Sequence, residues 1–199
     1  MAIKKFSDFE STQAYTESIK LPRGGYVCKI AGAKIEENQR GQYVKIAFDI
    51  YEGEFAKYYQ NKFEANTNED KKWPGIFTLN VPLDDGSEKD GWTKRRFKTF
   101  TNALEDSNPG YHFDWDETKF KGKLVGLVFN YREYEFDGQR GMIPNPAQAA
   151  SVNDIRENKY KIPKDRMLSG NRVETPEKDI GINGFVSITS AHTMEEIPY

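Results

Sequence analysis

Basic and aromatic residues interleave at three places in this 199-residue chain, and their spacing decides what chemistry they can do. Tyr43 and Lys45 stand two apart in a run with strand periodicity. Tyr58, Tyr59 and Lys62 form a second cluster, and Arg132, Tyr134, Phe136 and Arg140 surround a turn signal at Asp137-Gly138. Residues two apart on a strand share a face. Cations on such a face can track phosphates while flat rings stack on unpaired bases, each stacked base contributing roughly 1–3 kcal/mol. These clusters are the candidate single-stranded nucleic-acid interface. The plain alternative is packing, because tyrosine favours strands for that reason alone. A fourth cationic run, Lys94-Arg95-Arg96-Lys98, reads first as the solvated face of a helix and only second as a phosphate patch.

Residues suited to covalent or metal chemistry are few. The single Cys28 excludes an intramolecular disulfide and a cysteine-rich zinc site, and its alternating apolar surroundings mark it as a buried small hydrophobe. His112 and His192 are the only histidines, and neither has a partner at metal-ligand spacing. Carboxylates cluster at Asp84-Asp85 and at Asp114, Asp116 and Glu117, both turn-like stretches. Glu133 and Glu135 alternate on a strand. A metal-dependent nuclease needs acids converging from separate strands, often with a lysine, so this is a minor reading. No Walker motif, dinucleotide fingerprint or serine elbow is present. The expectation is a protein that is not an enzyme and needs no cofactor or metal.

Composition sets the frame in which these residues must be held. Apolar residues make up 37 % and aromatics 14 %, a modest core with rings to spare. Charges nearly balance, with 29 basic against 31 acidic residues. They are unevenly placed: the stretch from Ser169 holds only Arg172 and Lys178 against Glu174, Glu177, Asp179, Glu195 and Glu196. The body is left slightly basic, and where charge sits matters more to a polyanion than the net value. No apolar run is long enough to span a membrane, and the first residues do not begin a secretory signal, so a cytoplasmic protein is expected.

The elements follow from periodicity. Residues 1–20 read as a polar arm, and Leu21-Pro22-Arg23-Gly24-Gly25 leads into a first strand in which Tyr26, Cys28 and Ile30 share a face opposite Lys29. After a turn cluster at 36–41, Val44, Ile46, Phe48 and Ile50 alternate with Tyr43, Lys45, Ala47 and Asp49, giving a hairpin. A third strand is predicted at 57–63 and a short one at 76–81. Helical spacing over 93–105 places Phe97, Phe100 and Leu104 in one stripe, with Asp90 as N-cap and Asn108-Pro109-Gly110 as the stop. A buried strand at 124–129 continues to 136 and turns at Asp137-Gly138. Pro144 and Pro146 are expected to interrupt its return. One capped helical turn is predicted at 151–156, and a short strand at 185–189.

The last five residues, Glu195, Glu196, Ile197, Pro198 and Tyr199, form a third kind of constellation. Two carboxylates and a free terminus suit a rim of Lys or Arg, while the apolar–Pro–aromatic end suits a pocket. The proline pre-sets an extended approach and lowers the ordering cost. This tip resembles that of bacterial single-stranded-DNA-binding proteins, an acidic run ending Ile-Pro-Phe, with Tyr199 in place of the last residue and fewer acids.

The body carries a second likeness. Gly25-Tyr26-Val27-Cys28-Lys29-Ile30, Ala33-Lys34-Ile35-Glu36, Gly41-Gln42-Tyr43-Val44-Lys45-Ile46, Gly122-Lys123-Leu124-Val125-Gly126, Asp154-Ile155-Arg156 and Lys161-Ile162-Pro163-Lys164 resemble a phage family catalogued as a domain of unknown function and encoded among replication and recombination genes. The resemblance implies an OB-like fold and single-stranded-DNA binding. It supplies no catalytic residues.

The expectation is mainly β: an OB-like five-stranded barrel with one intervening α-helix and an extended acidic C-terminal tail. Residues 1–20 form an arm, 21–168 the nucleic-acid-binding domain, and 169–199 the tail with its partner-binding tip. Such a protein would bind and protect single-stranded DNA during phage replication or recombination, in the cytoplasm of an infected bacterium. The tip would recruit phage or host recombination and replication proteins, and self-association is left open. A protein–protein adaptor that binds no DNA is the main alternative.

Overall fold

The structure is a computed structural model, and it describes residues 4, 5, 7, 9, 10 and 20–168. The tail, its tip, His192, the strand expected at 185–189 and most of the N-terminal arm lie outside the described residues. Five strands form one antiparallel sheet: β1 (Gly24–Asn38), β2 (Gly41–Ile50), β3 (Ile76–Asn80), β4 (Leu124–Phe136) and β5 (Gln139–Ala150), in spatial order β3-β2-β1-β4-β5. Three helices accompany them: α1 (Tyr58–Ala65), α2 (Glu88–Ser107) and α3 (Val152–Arg156), with a 3-10 turn at Glu117–Phe120.

The 15-residue β1 organises the sheet. Its first part pairs with β4 and its remainder with β2, and the register slips between Ile30 and Gly32. Such a bulge bends a strand and adds twist. It also resets which residues face inward. Before it Cys28 and Ile30 lie opposite Ile50 and Phe48; after it Ala33 lies opposite Ile46. Gly32, Lys34 and Glu36 therefore join Ala47, Lys45 and Tyr43 on the outer face.

The alternation predicted for β2 holds, with Val44, Ile46, Phe48 and Ile50 all buried. So does the helix stripe, since Phe97, Phe100 and Leu104 are buried. Phe77 of β3 stacks on Phe100 at 5.6 Å and 19°, and Phe100 in turn meets Phe120 at 5.5 Å. Cys28 is fully buried, and burial pushes its thiol well above its ordinary value.

Five expectations need correction. The sheet is not closed into a barrel: β3 and β5 are its two edges, and α2 packs against both of them instead. Two helices, α1 and α2, intervene between the strands where one was expected, whereas the capped turn expected at 151–156 is present as α3 behind Ser151. The strand expected at 57–63 is helix α1, because the Asp49 carboxylate accepts the Tyr59 N–H at 2.9 Å and the Gln60 N–H at 3.1 Å and caps that turn. Helix α2 begins earlier than 93 and is capped by Ser87, whose hydroxyl accepts from the Asp90 N–H at 3.1 Å. Asp90 is instead buried and pairs with Lys94 at 3.0 Å, one helical turn on. Finally, β5 runs through both prolines, Pro144 opposite Tyr131 and Pro146 opposite Phe129. An edge strand allows this, because its outward N–H positions need no partner, and a register slip beside Phe129 absorbs the distortion.

The outer face of the sheet centre is covered by α3. Val27 and Val128 bury there against Val152 and Ile155. Gly126 makes the approach feasible: a Cβ on it would stand 2.4 Å from Ile155 Cγ1 and 2.7 Å from the Ala150 carbonyl oxygen.

Candidate nucleic-acid interface

Two zones of the outer face stay open on either side of α3. The first is the far end of the β4–β5 hairpin, beyond the point where β1 stops pairing at Gly24 opposite Phe129. Here β4 would have a bare edge. Residues 164–168 run beside it as a strap instead. The Asn130 side-chain amide donates to the Lys164 carbonyl at 2.6 Å, and the Arg166 N–H to the Tyr131 carbonyl at 2.8 Å. The Glu133 N–H donates to the Arg166 carbonyl at 2.8 Å, and the Leu168 N–H to Glu133 Oε2 at 3.0 Å.

The strap is pinned at Asp165. Its carboxylate accepts the Arg23 Nε–H at 3.0 Å and the Tyr131 N–H at 2.9 Å. Arg23 also lies over the Tyr131 ring, 4.3 Å from its centroid, and Lys20 Nζ lies 4.5 Å from it. The Arg23 hydrogen bond holds the Asp165 carboxyl below its ordinary range, and the same bond raises Arg23.

Arg166 of the strap and Arg132 of β4 are parallel bridge partners. Bridge partners point to the same side, so two cationic side chains emerge next to each other. The arginines with ion-pair partners among the described residues are Arg23, Arg140 and Arg156. Arg132 and Arg166 have none there. Strand alternation puts Tyr134 and Phe136 on the same face as Arg132. Tyr134 lies opposite Gly141, and its ring fills the space there: a Cβ on Gly141 would come within 2.7 Å of it. Phe136 is 70 % exposed beside the turn, where Asp137 and Gly138 both adopt positive φ (50° and 75°).

The second zone spans β1 and β2. Tyr43 lies opposite Glu36, and Lys45 opposite Lys34. Glu36 gathers the group: Tyr43 Oη donates to Oε2 at 2.7 Å, while Lys34 Nζ and Lys45 Nζ lie 2.6 Å and 3.5 Å from Oε1. Hydrogen bonds from Lys34 and then Tyr43 push the Glu36 carboxyl down to about 2.

The structure therefore brings Arg132, Tyr134 and Phe136 together, and separately Tyr43 with Lys45. It does not bring the rest to them. Tyr59 is 7 % exposed and packs edge-on against Phe48 at 5.3 Å, so its ring belongs to the core. Tyr58 is half-buried between Tyr59 and Phe55, and Lys62 is exposed on α1. Arg140 pairs with Glu135 at 2.8 Å on the opposite face of the hairpin from Arg132. Arg166, Lys34 and Glu36 are the additions. Alternation before the bulge gives the wrong face for Lys34, and no local pattern links Arg166 to Arg132.

On α2 the cationic run is mostly occupied by its own surroundings. Lys94 pairs with Asp84 and Asp90, Arg95 lies 4.5 Å over the Trp92 ring, and Arg96 lies 5.4 Å over Phe77. Most of the acids singled out in the sequence are likewise engaged. Glu133 is buried and accepts from Leu168, Asp114 and Asp116 pair with Lys119, and Asp85 accepts the Ser87 N–H at 2.9 Å. Among the described residues no group of three or more His, Cys, Asp or Glu is placed to hold a metal ion, and no helix is long and apolar enough to cross a membrane. No protein-family model matches the chain, and no curated protein matches it at a significant level.

Proposed function

We propose that this protein binds single-stranded DNA across the outer face of its sheet and does no chemistry on it. The observation that carries the reading is the Arg132–Arg166 bridge, two cations placed side by side without a carboxylate between them among the described residues. Neighbouring like charges on a sheet repel, and a polyanion lying over them removes that cost. Tyr134 and exposed Phe136 on the same hairpin add ring faces for unpaired bases. The β4–β5 hairpin and the β1–β2 zone flank α3, so a strand would pass around that short helix. The curled five-stranded sheet is read as OB-like. The resemblance of the body to a phage replication and recombination family points the same way.

In this reading the tip Glu195, Glu196, Ile197, Pro198 and Tyr199 recruits recombination or replication proteins in an infected bacterium. Fluorescence titration with labelled oligo(dT) at low salt tests the binding half, and an absence of binding would overturn it. Deleting the last five residues should spare DNA binding and abolish capture of such partners. Loss of DNA binding on that deletion would contradict the division of labour.

One observation favours the adaptor alternative. Trp115 is 80 % exposed, has a positive φ of 68°, and stacks on Phe97 at 6.1 Å. An exposed tryptophan among carboxylates suits a protein partner better than a phosphate chain. Substituting it with alanine should leave oligo(dT) binding unchanged.

A further inference from the structure

Lys34 and Lys45 lie directly opposite each other on the antiparallel β1–β2 pair, an arrangement that is unfavourable for two like charges alone. Glu36 resolves it. Its carboxylate collects three donors from two strands, Lys34 at 2.6 Å, Lys45 at 3.5 Å and the Tyr43 hydroxyl at 2.7 Å. Two ammonium groups and a hydroxyl converging on one anion are a donor set that suits a backbone phosphate. The anion already there is part of the chain and only partly shielded, at 26 % side-chain exposure.

We propose that Glu36 is an internal stand-in for a phosphate: it occupies the anion position made by Lys34, Lys45 and Tyr43, and a nucleic-acid strand crossing β1–β2 must displace it. The inference rests on the single-stranded-DNA reading and deepens it. Glu36 then sets affinity from within the site. It also splits the face into a strongly binding hairpin zone, where Arg132 and Arg166 have no such competitor among the described residues, and a weaker β1–β2 zone. Tyr43 is held by the same carboxylate, so its ring becomes free to reorient only when phosphate takes over.

The test is titration of labelled oligo(dT) over a series of salt concentrations with Glu36→Gln, which keeps the side-chain shape and removes the charge. Affinity should rise about three- to tenfold at low salt. The salt slope should steepen by about 0.7 for each lysine released to phosphate. Adding Lys34→Gln and Lys45→Gln to Glu36→Gln should abolish the gain. Tyr43→Phe, which loosens Glu36 while keeping the ring, should give a smaller rise and covers the case in which Glu36→Gln folds poorly. Glu37→Gln is the control for net charge, because exposed Glu37 lies opposite Gln42, one residue along and on the other face.

An equal gain from Glu37→Gln, or no gain from Glu36→Gln while binding still depends on Arg132 and Arg166, overturns the inference and leaves the broader reading standing. Wild-type protein that fails to bind oligo(dT) at low salt removes both.

Discussion

Arg132 on β4 and Arg166 on the strap are bridge partners in parallel register, although 34 residues separate them in the chain. The strap is held by main-chain bonds to β4 and by Asp165, so the pairing of the two cations is imposed by the fold against their mutual repulsion.

Removing either guanidinium should therefore weaken DNA binding without harming the fold. Arg166→Ala and Arg132→Ala should each lower the salt slope by about 0.7. Thermal denaturation should show an unchanged or slightly raised Tm, because a repulsion is relieved. A Tm drop of several degrees would mean that the pair is structural.

Phe136 and Tyr134 should separate binding from stability. Phe136 is largely exposed, so Phe136→Ala should cost about 1–3 kcal/mol of oligonucleotide binding and leave Tm unchanged. Tyr134→Ala should reduce both, because its ring covers Gly141. Titration and melting of the two variants side by side give the comparison.

Glu36 makes stability depend on pH in a defined window. Its carboxyl is held down to about 2 by Lys34, Tyr43 and Lys45, against an ordinary value of 4.5. A depressed carboxyl contributes stability that is fully present above the unfolded value and lost as pH falls toward the folded one. The difference in Tm between wild type and Glu36→Gln should be constant above about pH 5 and shrink between about pH 4.5 and 2. A difference that grows on acidification would contradict the geometry.

Gly126→Ala should destabilise the protein by about 1–3 kcal/mol, since the new methyl meets Ile155 and the Ala150 carbonyl and α3 must shift. Urea denaturation reads this directly. The pairing of Ile155→Ala with Gly126→Ala should recover part of the loss.

Much of this fold could be read from the sequence, and the gaps have physical causes. The alternation of Val44, Ile46, Phe48 and Ile50 and the stripe Phe97, Phe100, Leu104 are local patterns that tertiary packing reinforced. The segment at 57–63 failed because Tyr58, Gln60 and Lys62 alternate like a strand, while the deciding contact is the distant Asp49 carboxylate. Pro144 and Pro146 looked like breaks because nothing in the sequence says that β5 is an edge. At the candidate site, Arg132, Tyr134 and Phe136 share a face by simple alternation. Lys34 needed the bulge at Ile30, and Arg166 needed the strap, neither of which a local period records.

The most direct measurement is the salt dependence of oligo(dT) binding by wild type, Arg132→Ala, Arg166→Ala and the double variant. The sheet-face account predicts tight low-salt binding by wild type, a shallower slope in each single variant, and a further decrease in the double. Identical slopes in all four proteins would place the DNA elsewhere and contradict it.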